Sequence, residues 1–136
     1  MTHNIVLDTN VLVAALRSSK GASFALLSQI DHRSIKLHLS TPIVAEYEAV
    51  LKRNKLLVDA AIDDVIDYLC SIGEHHQIFY LWRPALKDPD DDFVLELAVK
   101  SLASIVTWNI GDFGAAKSFG IEVINPRDFL QRLKGV

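Results

Sequence analysis

A single cysteine, Cys70, leaves the 136-residue chain without the means to make an internal disulfide, and a reducing cytoplasm is the expected location. Gly and Pro are sparse, at six and four, which excludes collagen-like and low-complexity polymers. No apolar run approaches the ~20 residues needed to cross a bilayer, because charges interrupt each one, so no membrane association is expected. The opening Met1-Thr2-His3-Asn4 lacks the basic region and apolar stretch of a signal peptide. An excess of positive charge is also missing: 14 Lys and Arg against 17 Asp and Glu give a net charge of −3. Sequence-wide counterion release therefore cannot drive duplex binding, and a nucleic-acid substrate would need a local arrangement of charge. What is plentiful is hydrophobic material, 50% of the chain. That suffices for one core, so a single domain over residues 1–136 is expected, too short for separate cofactor and substrate domains.

The hydrophobic pattern alternates strand with helix. Ile5-Val6-Leu7 reads as a strand buried on both faces, stopping at Asp8-Thr9-Asn10. Helical stretches follow over Val11–Leu16 and Ala22–Ile30, then a period-two strand over Ile35–Leu39. Thr41 is placed to cap a helix that starts at Pro42 and runs to about Arg53. Further helices are expected over Val58–Ile72, from Asp88-Pro89 to near Ala103, and over Arg127–Leu133. Further strands are expected over Gln77–Tyr80, Ile105–Thr107 and Ile121–Val123. Such alternation predicts an α/β fold with a mostly parallel sheet, helices on both faces and a ligand site beyond the C-terminal strand ends.

Acidic residues fall where that site would lie: Asp8 after the first strand, Asp112 past the fourth, and the Asp88–Asp92 cluster opening a helix. Two such charges ~5 Å apart repel by roughly 3 kcal/mol at an effective dielectric of 20, so converging carboxylates call for a cation or shared protons. Oxygen ligands in that number favour Mg²⁺ or Mn²⁺. Each acid also has a plainer role: Asp8 can cap a helix, as can Asp88 before Pro89. Asp92, Glu96 and Lys100 recur every four residues and read as a solvated stripe, whereas Asp91 shares a face with Leu95, Ala98 and Leu102 and points inward. In the helix after Thr41, the apolar stripe leaves Glu46 and Glu48 at opposite margins. Glu48 has Lys52 four residues on, which leaves Glu46 as the one to turn toward a cation.

Four segments then carry a family resemblance: Val6–Leu12, Val44–Glu48, Asp88–Asp92 with Leu95 and Ala98, and Thr107–Phe113. In this order and spacing the chain resembles a PIN domain, of the prokaryotic branch that includes toxins of toxin–antitoxin pairs. The resemblance implies an α/β/α sandwich with a central, mostly parallel sheet of about five strands, and a Mg²⁺- or Mn²⁺-dependent endoribonuclease. It places Asp8, Glu46, Asp91 and Asp112 on the family's acidic, metal-binding quartet and Thr9, Asn10, Thr107 and Asn109 on its polar support positions. Asp8 and Asp91 are expected to coordinate directly, with Glu46 and Asp112 helping through a bound water or a second ion. It further implies RNA as substrate, an antitoxin whose tail covers the acidic groove, and a homodimer.

Arg17, Lys20 and the Lys52, Arg53, Lys55 group are candidates to hold a strand, though most read as solvated surface. Trp108 can stack on a base, but core packing is the expected role. His75-His76 suggests zinc, yet adjacent strand residues face opposite ways and no Cys or third His is near in sequence, with His3, His32 and His38 scattered. Cys70 sits in an amphipathic helical pattern and reads as a buried structural thiol. Two alternatives remain open: phosphoryl transfer through an Asp8 intermediate, disfavoured because Asn10 stands where a second Asp would be needed, and a non-catalytic module that binds RNA or protein.

Overall fold

The structure, a computed structural model, describes residues 2–30, 34–78 and 89–135. The chain opens with β1 (His3–Leu7), α1 (Thr9–Arg17), α2 (Ala22–Gln29) and β2 (Ile35–Ser40). The elements α3 (Thr41–Asn54), α4 (Asp59–Ile72) and β3 (Glu74–His76) follow. After these come α5 (Pro89–Ser101), β4 (Ser104–Val106), a 3₁₀ segment (Ile110–Phe119), β5 (Val123–Ile124) and α6 (Pro126–Lys134). Every described strand pairing is parallel, in the order β3-β2-β1-β4-β5, and helices flank the sheet, as the α/β alternation requires. The central strand is the most apolar: Ile5, Val6 and Leu7 are fully buried, which a both-faces-covered strand demands. On the described helices, α5 packs across β1, β2, β3 and β4, while α1 packs against α2 and α3, α3 against α4, and α2 against α6.

Several boundaries differ from the sequence expectation for identifiable reasons. Of the strand expected over Gln77–Tyr80, Gln77 and Ile78 lie outside any strand and Phe79 and Tyr80 fall outside the described residues; the strand that forms here is Glu74–His76. Gly73 sets this start. It ends α4 with its N–H donating to Leu69 O at 2.9 Å, and a Cβ there would come within 2.4 Å of Leu39 Cδ1, so only glycine lets the chain pass this close to β2. Glu74 then falls in register with His38. The fifth strand is Val123–Ile124 rather than Ile121–Val123, because Ile121 N–H is used to close the 3₁₀ segment on Ala116 O. That closure follows Gly120, whose φ of +72° is left-handed. The helix of residues 41–54 is preceded by Ser40 at the cap, with Thr41 already helical, since β2 runs into α3 without a loop. The 3₁₀ segment carries no amphipathic period, so the hydrophobic pattern gives no sign of it.

The C-terminal helix is pinned to Glu122, just before the last strand, by a two-pronged contact. Arg132 donates from Nη1 and Nη2 to the two Glu122 oxygens at 2.7 and 2.6 Å, and Ser104 Oγ adds a third bond at 3.0 Å. The Arg132 guanidinium first, then the Ser104 hydroxyl, holds the Glu122 carboxyl below its ordinary value despite partial burial. A lowered folded value means the contribution is present above the unfolded value near 4.3 and is lost as pH falls through the folded one. Glu122→Gln is thus expected to cost under about 1 kcal/mol at pH 7, since both partners are partly exposed. The gap from wild type in urea titrations should close below about pH 4; a gap that persists in acid would contradict the account. For Gly73→Ala, steric overlap with Leu39 predicts a loss of about 1–3 kcal/mol, read from the same titrations, whereas an unchanged midpoint would show that Leu39 yields freely.

Candidate active site

The order β3-β2-β1-β4-β5 makes the chain leave β1 in one direction and return to its other side at β4, a reversal that opens a crevice at the C-terminal ends of these two strands. Leu7 pairs with Val106, so Asp8 and Thr107 emerge side by side. Asp8 is 9% exposed and does two things at once. Its Oδ1 accepts the Thr9 N–H at 2.8 Å, capping α1, and its Oδ2 accepts the Thr107 hydroxyl at 2.8 Å. The capping and site readings of Asp8 are therefore compatible.

Thr107, fully buried, is the junction of a small polar network. Its Oγ1 donates to Asp8 and accepts from Asn10 Nδ2 at 3.2 Å and from the Asn109 N–H at 3.0 Å. Asn10 Oδ1 in turn accepts the Trp108 N–H at 3.3 Å. Residues 97 to 99 positions apart in the chain are thereby tied into one rigid corner. Trp108 is not a core residue: it is 39% exposed, and its ring is anchored by Nε1 donating to Ser23 Oγ at 2.8 Å.

Helix α3 forms the opposite wall. Glu48 takes the surface pairing with Lys52 at 2.8 Å, and Lys52 also meets Asp63 of α4 at 2.9 Å, which raises its pKa through those two hydrogen bonds. Glu46 lies on the crevice side with Ile43, Val50 and Arg53, a spacing of three, four and three residues that fits one helix face. That spacing was the signal by which Arg53 could have been separated from Lys52 and Lys55. Tyr47, fully buried beside them, donates its hydroxyl to the Leu7 carbonyl and joins α3 to the end of β1. Burial, with the Asp8 charge adding to it, pushes the Tyr47 phenol well above its ordinary value, so it stays a donor.

Helix α5 departs from its expected orientation in part. Asp91 does line the crevice, but Asp92 and Glu96 are buried, at 1% and 3%, and not on a solvated stripe. Leu102, expected inward, lies past the helix end at φ +56° and is exposed. The reason is that α5 crosses the sheet with Val94, Leu95, Leu97 and Ala98 all buried, so it has no broad wet face and amphipathic reasoning loses its purchase. Asp112 enters from the first turn of the 3₁₀ segment, where its N–H donates to Asn109 O at 3.0 Å.

One cavity of about 250 Å³ is lined by Asp8, Glu46, Asp91 and Asp112 together with Thr9, Asn10 and Asn109. Thr107 supports it from beneath through its bonds to Asp8 and Asn10. Among the described residues that line it Arg53 is the one basic side chain, and Phe93 and Val94 supply apolar wall. Among the described residues the donors at this cavity are carboxylate, amide and hydroxyl oxygens, without thiolate or imidazole, which fits a hard divalent cation.

A second polar cluster lies on the sheet edge. His38 Nδ1 is 2.7 Å from His76 Nε2, and Glu74 Oε2 is 3.3 Å from His38 Nδ1 and 3.6 Å from His76 Nε2. Burial first, then the neighbouring His76, holds the His38 imidazole below its ordinary value against an opposing pull from Glu74. His75 faces away toward Cys70 O, as strand alternation requires. The sequence reading missed this cluster because its third member comes from β2, 38 residues earlier in the chain than His76. His32 lies outside the described residues. Cys70 is only partly buried, and burial followed by Asp67 raises its thiol pKa.

A parallel sheet read from β3 to β5, with an acidic cavity at its topological reversal, defines an α/β protein built around an oxygen-rich site. The family described as PIN domain matches residues 4–111, most of the chain, and the protein belongs to that family. Its fold is shared by solved structures of low identity. VapBC2 from Rickettsia felis bound to a promoter DNA fragment is 16% identical, with a TM-score of 0.63 over 90% of this chain and 98% of that one. VapBC-1 from nontypeable Haemophilus influenzae is 12% identical, with a TM-score of 0.64 over 91% of this chain and 98% of that one. FitAcB from Neisseria gonorrhoeae is 19% identical, with a TM-score of 0.56 over 90% and 98%. The curated proteins give no match.

Thr107→Val keeps the side-chain shape while deleting the donor to Asp8 and the acceptor for Asn10 and Asn109. A loss of about 1–3 kcal/mol is expected in denaturant titration; a change within experimental error would show that the junction does not hold the corner.

Proposed function

We propose that the chain is a divalent-cation-dependent endoribonuclease, the toxin of a toxin–antitoxin pair, acting as one PIN unit over residues 1–136 in the cytoplasm. The observation that most supports this reading is the convergence of Asp8, Glu46, Asp91 and Asp112, from four separate segments, on one cavity. In this reading Asp8 and Asp91 hold Mg²⁺ or Mn²⁺ directly, and Glu46 and Asp112 assist through bound water or a second ion. When bound, such a cation lowers the pKa of a water and polarises a phosphodiester for in-line attack.

The chain's own groups supply the rest. Thr107 and the Thr9 N–H fix the Asp8 carboxylate, so its orientation is settled before substrate arrives. Arg53 is positioned to take the non-bridging phosphate oxygens, and the exposed face of Trp108 to stack on a neighbouring base. No side-chain nucleophile is required. The Asp8-phosphate alternative has less support, since no lysine is among the described residues that line the cavity. In this reading the chain pairs with an antitoxin whose tail covers the acidic groove and assembles as a homodimer, as the family resemblance implies.

Incubation of purified protein with a mixed-sequence RNA, with Mg²⁺ or with EDTA, tests the reading. Wild type is expected to cleave only with the cation. Asp8→Asn and Asp91→Asn should lose roughly 10²-fold or more in rate while retaining wild-type circular dichroism and a cooperative thermal transition. Fragments produced equally in EDTA, or turnover retained by folded Asp8→Asn, would contradict it; RNA binding without cleavage would favour a non-catalytic module.

A further inference from the structure

Outside the acidic cavity, among the described residues, the grouping best suited to a ligand is the one on the sheet edge. Its members come together by register: His38 pairs with Glu74 in the parallel β2–β3 ladder, and Glu74 and His76, two apart, share a face. Three ligand atoms, His38 Nδ1, His76 Nε2 and Glu74 Oε2, lie within 4.8 Å of one another.

The hydrogen bonds fix which of these atoms carry lone pairs. Asn4 Oδ1 lies 2.8 Å from His38 Nε2, and a carbonyl oxygen only accepts, so Nε2 holds the His38 proton and Nδ1 is an acceptor. His76 Nε2, 2.7 Å away, then donates to Nδ1, and that one proton is all that separates two imidazole nitrogens and a carboxylate oxygen. Asn4 thereby acts as the outer partner that orients a ligating histidine. In a tetrahedral centre with bonds of 2.0–2.2 Å, donor atoms stand about 3.3 Å apart. The two distances to Glu74, 3.3 and 3.6 Å, already meet that spacing, and the His38–His76 distance of 2.7 Å needs to open by only about 0.6 Å.

We propose that His38, Glu74 and His76 form a zinc site that clips the three-residue edge strand β3 to β2. Two imidazoles and a carboxylate suit Zn²⁺ and not Mg²⁺, which keeps oxygen ligands, so this site and the acidic cavity select different ions. On binding, the proton on His76 Nε2 moves to Nδ1 of the same ring through solvent, the freed Nε2 lone pair bonds the metal, and a water completes the fourth position. The ion cross-links strands that are otherwise held at this edge by a short ladder and by Lys36, 3.6 Å from Glu74. It therefore raises thermal stability.

The test uses the untagged full chain, stripped with chelator and titrated with Zn²⁺ against a chromophoric competitor, with thermal unfolding and Co²⁺ absorption read in parallel. Wild type is expected to bind one equivalent, to unfold at higher temperature when loaded, and to give the visible bands of tetrahedral Co²⁺. His76→Ala and Glu74→Gln, at partly exposed positions, should weaken affinity about 100-fold or more, and Asn4→Ala about 10- to 100-fold. His75→Ala, facing the other way, and Asp8→Asn should bind as wild type does. Failure of wild type to take up zinc would overturn the proposal. So would zinc retained by His76→Ala, or zinc lost in Asp8→Asn, which would place the ion in the acidic cavity.

Discussion

Everything at the candidate active site depends on how a nearly buried carboxylate, Asp8, is tolerated at the end of the central strand. A charge so placed is costly unless it is hydrogen-bonded. The Thr9 N–H and the Thr107 hydroxyl meet that requirement from two sides, one through the start of α1 and one across the β1–β4 pairing. The parallel register that sets Leu7 against Val106 is what brings Thr107 within reach. Sheet topology and site chemistry are thus a single constraint.

From that corner the other elements can be read as supports. Tyr47 bonds the Leu7 carbonyl and fixes α3, which turns Ile43, Glu46, Val50 and Arg53 into one wall of the cavity. Helix α5, buried along most of its length, can present Asp91 because the same helix is locked over the sheet by Leu95 and Ala98. Asp112 arrives on a 3₁₀ turn rather than a strand end, which lets it reach the same cavity from beyond β4. Four acids that are far apart in sequence share one space because four elements converge at the point where strand order reverses.

The strand–helix alternation was legible because each strand core is apolar and each helix has a period, and Asp8 was legible because it ends the most hydrophobic strand. Glu46 emerged by excluding Glu48, whose bond to Lys52 is local and therefore readable. Asp92 and Glu96 misled for the opposite reason: their burial is imposed by packing across the sheet, and a repeat of four residues carries no trace of it. The His38–His76 proximity was equally hidden, since it follows from β2–β3 register and from Gly73 setting where β3 begins. Local chemistry can be read along the chain; partners supplied by a neighbouring strand cannot.

The two clusters also divide the sheet by ligand type, oxygen donors at the β1–β4 reversal and imidazole at the β3 edge. The central claim, that the four acids serve a divalent cation, is tested most directly by anomalous diffraction from a crystal of the wild-type chain grown with Mn²⁺. The account predicts a manganese peak in the cavity within bonding distance of Asp8 and Asp91. A cavity without manganese, its carboxylates closed off by basic side chains of the same chain, would contradict it.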